Sequence, residues 1–261
     1  MKAFIYSLGF AGLLATVLFT NSCQKVIDVD LNDASANIVV EGEVLVGDTT
    51  HRVKITRTMN FDESGEFPTV QNAIVTVVDN LGNSGTFTHV GDGVYELSSY
   101  PGVEGRTYTL TVVVDGKTYS ASSTMPAFVP MDSLYAEQIP FGADTFSFVT
   151  PERLDPAGIA NYYQFRITQN GEVYDGITLQ TDQLYDGNTI VEPLFLEELE
   201  VNDTIRVDMF SITKAAWTYH NQLLNNSTGQ STPANPISNF SGGCLGFFST
   251  RGCSSKTLIF Q

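Results

Sequence analysis

Apolar and polar residues alternate along most of this chain, and the period is that of strands rather than helices. In Arg52-Val-Lys-Ile-Thr56, Val53 and Ile55 point one way while Arg52, Lys54 and Thr56 point the other, as in a half-buried strand. Ile38, Val40 and Gly42 alternate with mixed neighbours before a turn at Gly47-Asp48. Ala73–Val78 leads through the turn residues Asp79-Asn-Leu-Gly-Asn83 into Gly85–Val90, a hairpin. Tyr108, Leu110, Val112 and Val114 alternate up to Asp115-Gly116, a pair suited to a turn with positive φ at both central positions, and Tyr119 and Ala121 continue the returning strand. The pattern predicts an antiparallel β-sandwich of about seven short strands over residues 36–126.

Pro126-Ala-Phe-Val-Pro130 interrupts the alternation with two prolines and predicts a boundary. Residues 127–261 then read as a second β-rich domain, with alternation in Thr145–Val149, Tyr162–Ile167 and Thr204–Met209. One amphipathic helix is expected near 213–225, where Ala216, His220, Leu223 and Leu224 share a face and Ser211 or Thr213 can cap the start. A polar loop from Asn225 to Pro236, a glycine-containing segment with two cysteines, and a strand over Lys256–Phe260 complete the chain.

The amino terminus follows a different rule. Met1-Lys2, an apolar run from Ala3 to Phe19, and Thr20-Asn21-Ser22 before Cys23 read as a lipoprotein signal peptide over residues 1–22. Cys23 is the expected lipidation site, which would hold the mature chain on a membrane. The alternative is an ordinary signal cut nearby that leaves Cys23 as a free thiol. Residues 23–35, with Asp28, Asp30 and Asp33, are expected to be an acidic tether.

Charge narrows the partners. The formal net charge is −16, and Lys2 is the only charged residue before Cys23. So acidic a chain lacks the basic footprint that nucleic acid requires. The same charge argues against electrostatic adhesion to anionic lipid, leaving the lipid on Cys23 as the expected attachment. With Cys23 assigned to lipid, Cys244 and Cys253 remain as an expected disulfide closing a short loop, worth roughly 2–3 kcal/mol in the chain-entropy model. Two free thiols are the rival reading, and metal ligation a more distant one.

No catalytic signature stands out. His51, His89 and His220 are scattered, there is no HExxH or paired CxxC, and no GxSxG elbow marks a nucleophile. The chain is therefore expected to be no enzyme, with no cofactor and no metal. Carboxylates are too numerous for any pair to carry meaning. Aromatic residues are concentrated in the second region, and Trp217, Tyr219, Phe247 and Phe248 are the candidate partner or ligand contacts, weighed against a place in the core.

The order of Gly93-Val-Tyr95, Pro101–Thr111, Gly116–Ala121, Asn161–Phe165, Pro233-Ala-Asn-Pro-Ile-Ser-Asn239 and Gly243-Cys-Leu-Gly-Phe-Phe248 resembles the Bacteroidota lipoprotein family called domain of unknown function 4249. Cys244 departs from the alanine usual at that point in the family. The resemblance implies an outer-membrane, surface-exposed lipoprotein. It would act as a non-enzymatic accessory or ligand-binding partner of a TonB-dependent transporter, with a glycan or peptide as ligand. The alternative is a free-standing adhesin or glycan- or protein-binding module. The first region also resembles immunoglobulin-like or prealbumin-like modules, a likeness of fold that carries no function.

Overall fold

A computed structural model describes residues 36–261 apart from 48–49, 61–62, 143 and 228–233. The expected signal peptide, Cys23 and the tether lie outside the described residues. The protein is mainly β: 54% of the described residues lie in strands and 7% in helix. Among the described residues no helix is long and apolar enough to cross a membrane.

The first half contributes β1 (Ile38–Leu45), β2 (His51–Arg57), β3 (Ile74–Asp79), β4 (Ser84–Thr86), β5 (Thr88–Gly91), β6 (Val94–Leu97), β7 (Thr107–Val114) and β8 (Lys117–Thr124). The second contributes β9 (Ser133–Phe141), β10 (Asp144–Leu154), β11 (Tyr162–Gln169), β12 (Glu172–Val173), β13 (Thr178–Thr181), β14 (Thr189–Val191), β15 (Leu194–Leu196) and β16 (Thr204–Ile212). Helix α1 (Lys214–Ser227) and the long strand β17 (Leu245–Ile259) follow.

A nine-stranded sheet runs β12-β11-β16-β17-β1-β2-β6-β5, with β13 also on β11. Two four-stranded sheets, β4-β3-β7-β8 and β14-β10-β15 with β9, cover parts of it. The first core interleaves Val40, Val53 and Ile55 of the large sheet with Val77, Leu110 and Val112 of the small one. The second sets Tyr163, Phe165, Val207 and Met209 against Val149 and Leu196. Successive side chains on a strand point to opposite faces, and β17 shows this clearly. Phe248 enters the first core and Leu258 packs on the second, whereas Phe247 and Cys253 join the opposite face under α1. Both small sheets therefore cover one face of the large sheet, and α1 sits on the other.

The expected boundary near 126 lies inside one compact unit, residues 36–261, and the large sheet takes strands from both sides of it. The first sandwich also takes Phe240, Cys244 and Phe248 from the far end of the chain. Its β1 pairs with β17 in parallel, where an all-antiparallel sandwich was expected. The connecting segment is itself held down: Ser211 Oγ accepts from the Val129 N–H (3.1 Å), and Ser254 Oγ from the Met131 N–H (2.9 Å).

The largest correction concerns the cysteine-bearing segment, expected as a disulfide-closed loop. It is the strand β17, paired with β1 through Arg251 and with β16 from Gly252 onward. Both cysteines are free thiols, Cys244 buried in the first core and Cys253 on the opposite face. Extended backbone rises about 3.3 Å per residue, which separates them by roughly 25–30 Å. A disulfide needs Cα atoms within about 7 Å. The bond is geometrically excluded, whatever the redox compartment. Gly246 explains one of the glycines: its φ is +94°, and a Cβ there would lie 2.0 Å from the Val40 carbonyl oxygen.

Peptide mapping after denaturation and alkylation without reductant is expected to find both Cys244 and Cys253 modified. Recovery of a linked Cys244–Cys253 peptide would contradict the β17 pairing.

Candidate functional site

The face of the large sheet opposite the two cores carries the cleft. Glu41 and Glu43 of β1, Arg52 and Lys54 of β2, and Arg166 of β11 all project there by strand parity, beside Ser249 and Arg251 of β17. Helix α1 supplies one wall through Tyr219 and His220, and the volume enclosed is about 450 Å³. A second hollow of about 320 Å³ shares Glu43, Arg52, Arg166 and Arg251 and adds Arg206, Asp208, Phe210 and Cys253. Five of the chain's 13 basic residues thus converge on one surface of an acidic protein.

Some of that charge is neutralised locally. Arg52 Nε donates to Glu96 (2.8 Å), Arg206 pairs with Asp208 (2.8 Å), and Arg251 pairs with Glu43 and donates to Gln164 Oε1 (3.2 Å). Arg251 also stacks over Phe210 at 4.0 Å, with Arg166 at 5.2 Å from the same ring. Among the described residues neither Arg166 nor Lys54 has a carboxylate within ion-pair distance, and both are exposed. Ser249 Oγ and Arg251 Nε are buried there without hydrogen-bond partners among the described residues. The cleft therefore offers the cations Arg166 and Lys54 beside Glu41, above an aromatic floor, a surface suited to an anionic ligand with an apolar portion.

Helix α1 begins as the sequence indicates. Thr213 Oγ1 accepts from the Ala216 N–H (3.2 Å), capping the first turn. Ala216 is the fully buried helix residue, and Trp217 and Tyr219 pack beside it against the sheet. Tyr219 lies 4.8 Å from Phe247, ring centre to ring centre. Of the four aromatic candidates, Tyr219 and Phe247 meet in the cleft. Trp217 instead stacks near Tyr162 (6.0 Å) beside a separate hollow, with its indole N–H unpaired. Phe248 is a core residue at 0% exposure and touches no ligand surface.

Sequence reasoning missed an aromatic face on the small sheet of the second core. Phe141, Phe146 and Phe195 are 70%, 38% and 57% exposed, on β9, β10 and β15. Their rings form a chain with Phe148: Phe141–Phe146 at 5.8 Å, Phe146–Phe195 at 6.1 Å and Phe148–Phe195 at 5.8 Å. Tyr135 and Ile139 extend the exposed apolar surface along β9. The signal was present in the phenylalanines of Thr145–Val149, but alternation alone does not say which side of a strand meets the core.

The family described as "Domain of unknown function (DUF4249)" matches residues 24–257. No curated protein matches. Among solved structures the chain is similar to the crystal structure of a DUF4785 family protein from Legionella pneumophila subsp. pneumophila str. Philadelphia 1. That match has 14% identity over 67% of this chain, with a TM-score of 0.25. The chain spans about half the length of that protein, 52% of it.

Burial pushes the His220 imidazole down to about 4, with the Arg251 charge acting in the same direction. The unfolded chain takes up this proton near its ordinary pKa of about 6.5, before the folded chain does. Acidification from about 6.5 to about 4 therefore costs stability through this residue. Titration by NMR is expected to show His220 neutral at pH 6, and His220→Gln to flatten that part of the stability profile. A His220 midpoint near 6.5 would contradict the packing of α1.

Proposed function

We propose a function from one premise: the chain belongs to the DUF4249 family, a domain of unknown function. It is a lipid-anchored, non-enzymatic protein of the outer membrane. It docks through the aromatic face of β9, β10 and β15 on a TonB-dependent β-barrel and presents its cationic cleft to that transporter's cargo. The aromatic face carries the reading. Exposed rings gathered in one patch are unfavourable in water and are typical of interface cores, where large aromatics combine contact area with little side-chain entropy to lose. The lipoprotein signal expected at Cys23 supports the location. The family resemblance supports the class of partner.

The cleft favours a second reading. Arg166 and Lys54, exposed and without carboxylate partners among the described residues, suit an acidic glycan or peptide bound by the chain alone. On that reading the chain is a free-standing adhesin or binding module, and the barrel is dispensable.

Affinity purification of the tagged full chain from detergent-solubilised outer membranes separates the two. The expected result is a stoichiometric β-barrel that falls at least about tenfold with Phe141→Ser, Phe146→Ser and Phe195→Ser combined. Thermal unfolding of that variant should stay close to the parent's, because the three rings face outward. Purification of the parent chain alone would overturn docking, and glycan or peptide binding by the detergent-solubilised chain would then support the second reading.

A further inference from the structure

The far end of the second sandwich holds a group of charges that the proposed function does not use. Strand β10 runs out into a segment beginning at Asp155, and β13 into a tight turn from Asp182 through Asp186 to Gly187. The carboxylates of Asp155, Asp182 and Asp186 converge, with one oxygen from each lying within 4.8 Å of the others. Asp155 and Asp182 are buried and Asp186 is exposed.

Backbone and hydroxyl donors aim these groups. The Gly158 N–H donates to Asp186 Oδ1 (2.6 Å), the Asn161 N–H to Asp182 Oδ2 (2.7 Å), and the Gly187 N–H to Asp155 Oδ2 (3.3 Å). The Tyr163 hydroxyl donates to Asp155 Oδ1 (2.9 Å). An ionised carboxylate has about four lone-pair sites, so this cage leaves acceptor capacity unused. Arg153 lies near enough to attract Asp155, but its guanidinium hydrogen-bonds Gln180 (3.0 Å) and stacks on Tyr163. One cation set to the side does not balance three carboxylates.

Asn161 supplies an independent observation. It is 6% exposed, and its Oδ1 is sealed from solvent with no hydrogen-bond partner among the described residues. The register pairing Tyr162 with Thr181 continues one step to place Asn161 opposite Asp182, and the Asp182 N–H donates to the Asn161 carbonyl (3.3 Å). Cross-strand neighbours project to the same face of a sheet. By strand alternation that is also the face of Tyr163, whose hydroxyl already reaches Asp155. Asn161 therefore carries its orphaned amide oxygen on the face of the sheet where the carboxylates gather.

We propose that Asp155, Asp182, Asp186 and Asn161 form a calcium-binding site. All four donors are oxygens, the ligand class of a hard cation, with no nitrogen or sulfur to favour zinc. Calcium–oxygen distances near 2.4 Å let ligands on opposite sides stand about 4.8 Å apart, so three carboxylate oxygens all within 4.8 Å of one another can reach one such ion. Calcium also accepts the irregular mixture of carboxylate and amide oxygens present here, whereas magnesium demands near-ideal octahedral geometry. Bound calcium satisfies the Asn161 oxygen, neutralises the carboxylates and ties the two segments together. The Asp182–Asp186 turn also lines the hollow beside Trp217 through Gln183, Leu184 and Tyr185, so the ion fixes one wall of that hollow.

Calorimetric titration of the EGTA-stripped full chain with calcium chloride tests this, alongside thermal unfolding in calcium and in EGTA. One calcium per chain is expected, with a dissociation constant of about 1 mM or tighter and a higher unfolding temperature in calcium. Asp182→Asn and Asn161→Ala should each weaken binding, the former at least about tenfold. Asp186→Asn, at an exposed position, should weaken binding while keeping the fold, as judged by circular dichroism. No binding heat and no thermal shift at about 10 mM calcium would overturn the proposal. So would unchanged binding in Asp186→Asn and Asn161→Ala, or saturation by magnesium to the exclusion of calcium.

Discussion

One strand with two different neighbours organises this molecule. Up to Arg251, β17 lies parallel to β1, and from Gly252 it lies antiparallel to β16. A strand can do this only if each half finds partners for its backbone on both edges or at a boundary. Asn239 fills one gap on the first half, its side-chain amide accepting from the Phe248 N–H (2.9 Å) and donating to the Phe248 carbonyl (2.8 Å). On the face turned to the first core, Thr250 hydrogen-bonds Ser123 of β8 (2.8 Å), so a buried hydroxyl pair ties the strand to the covering sheet. Close approach to β1 demands glycine at 246. These contacts join the beginning and end of the chain into one compact unit.

Both candidate surfaces follow from that sheet. Because the two small sheets cover the same face, the other face of β1, β2, β11, β16 and β17 is left to α1 and water. Polar residues on those strands are the solvated half of an ordinary alternation. Closing β17 between β1 and β16 brings the cations of both halves of the chain together there, and Arg251 on β17 stands between Glu43 of β1 and Gln164 of β11. The aromatic face has a different origin. It is the outward side of the small sheet over the second core, where Phe146 and Phe195 alternate with buried Ser147 and Leu196. Nothing in the folding of the chain requires rings at those positions, which is why we read them as an interface.

Much of the fold was legible because alternation and turn chemistry are local. The hairpins of the first half, the Thr213 cap and the helix, found at 214–227 against an expected 213–225, all rest on signals within a few residues. The β17 strand was not legible. Its core-facing positions run Gly246, Phe248, Thr250, Gly252 and Ser254, all but Phe248 small or polar residues whose burial depends on partners far away in the sequence. Reading two glycines and two cysteines as a loop followed from local rules, and long-range pairing overrode them. The same limit hid the site around Asp155. Carboxylates are too numerous in this sequence for any group of them to stand out, and only the β11–β13 register places Asn161 against Asp182. Of the aromatic candidates, Tyr219 and Phe247 reached the cleft while Phe248, the next residue on the strand, turned inward.

A photoreactive amino acid at position 195, with a control at position 54 in the cleft, would test the docking account most directly in intact cells. The account predicts that position 195 yields one dominant adduct with an outer-membrane β-barrel and that position 54 does not. Adducts with the barrel from position 54 alone, or from neither position, would contradict it.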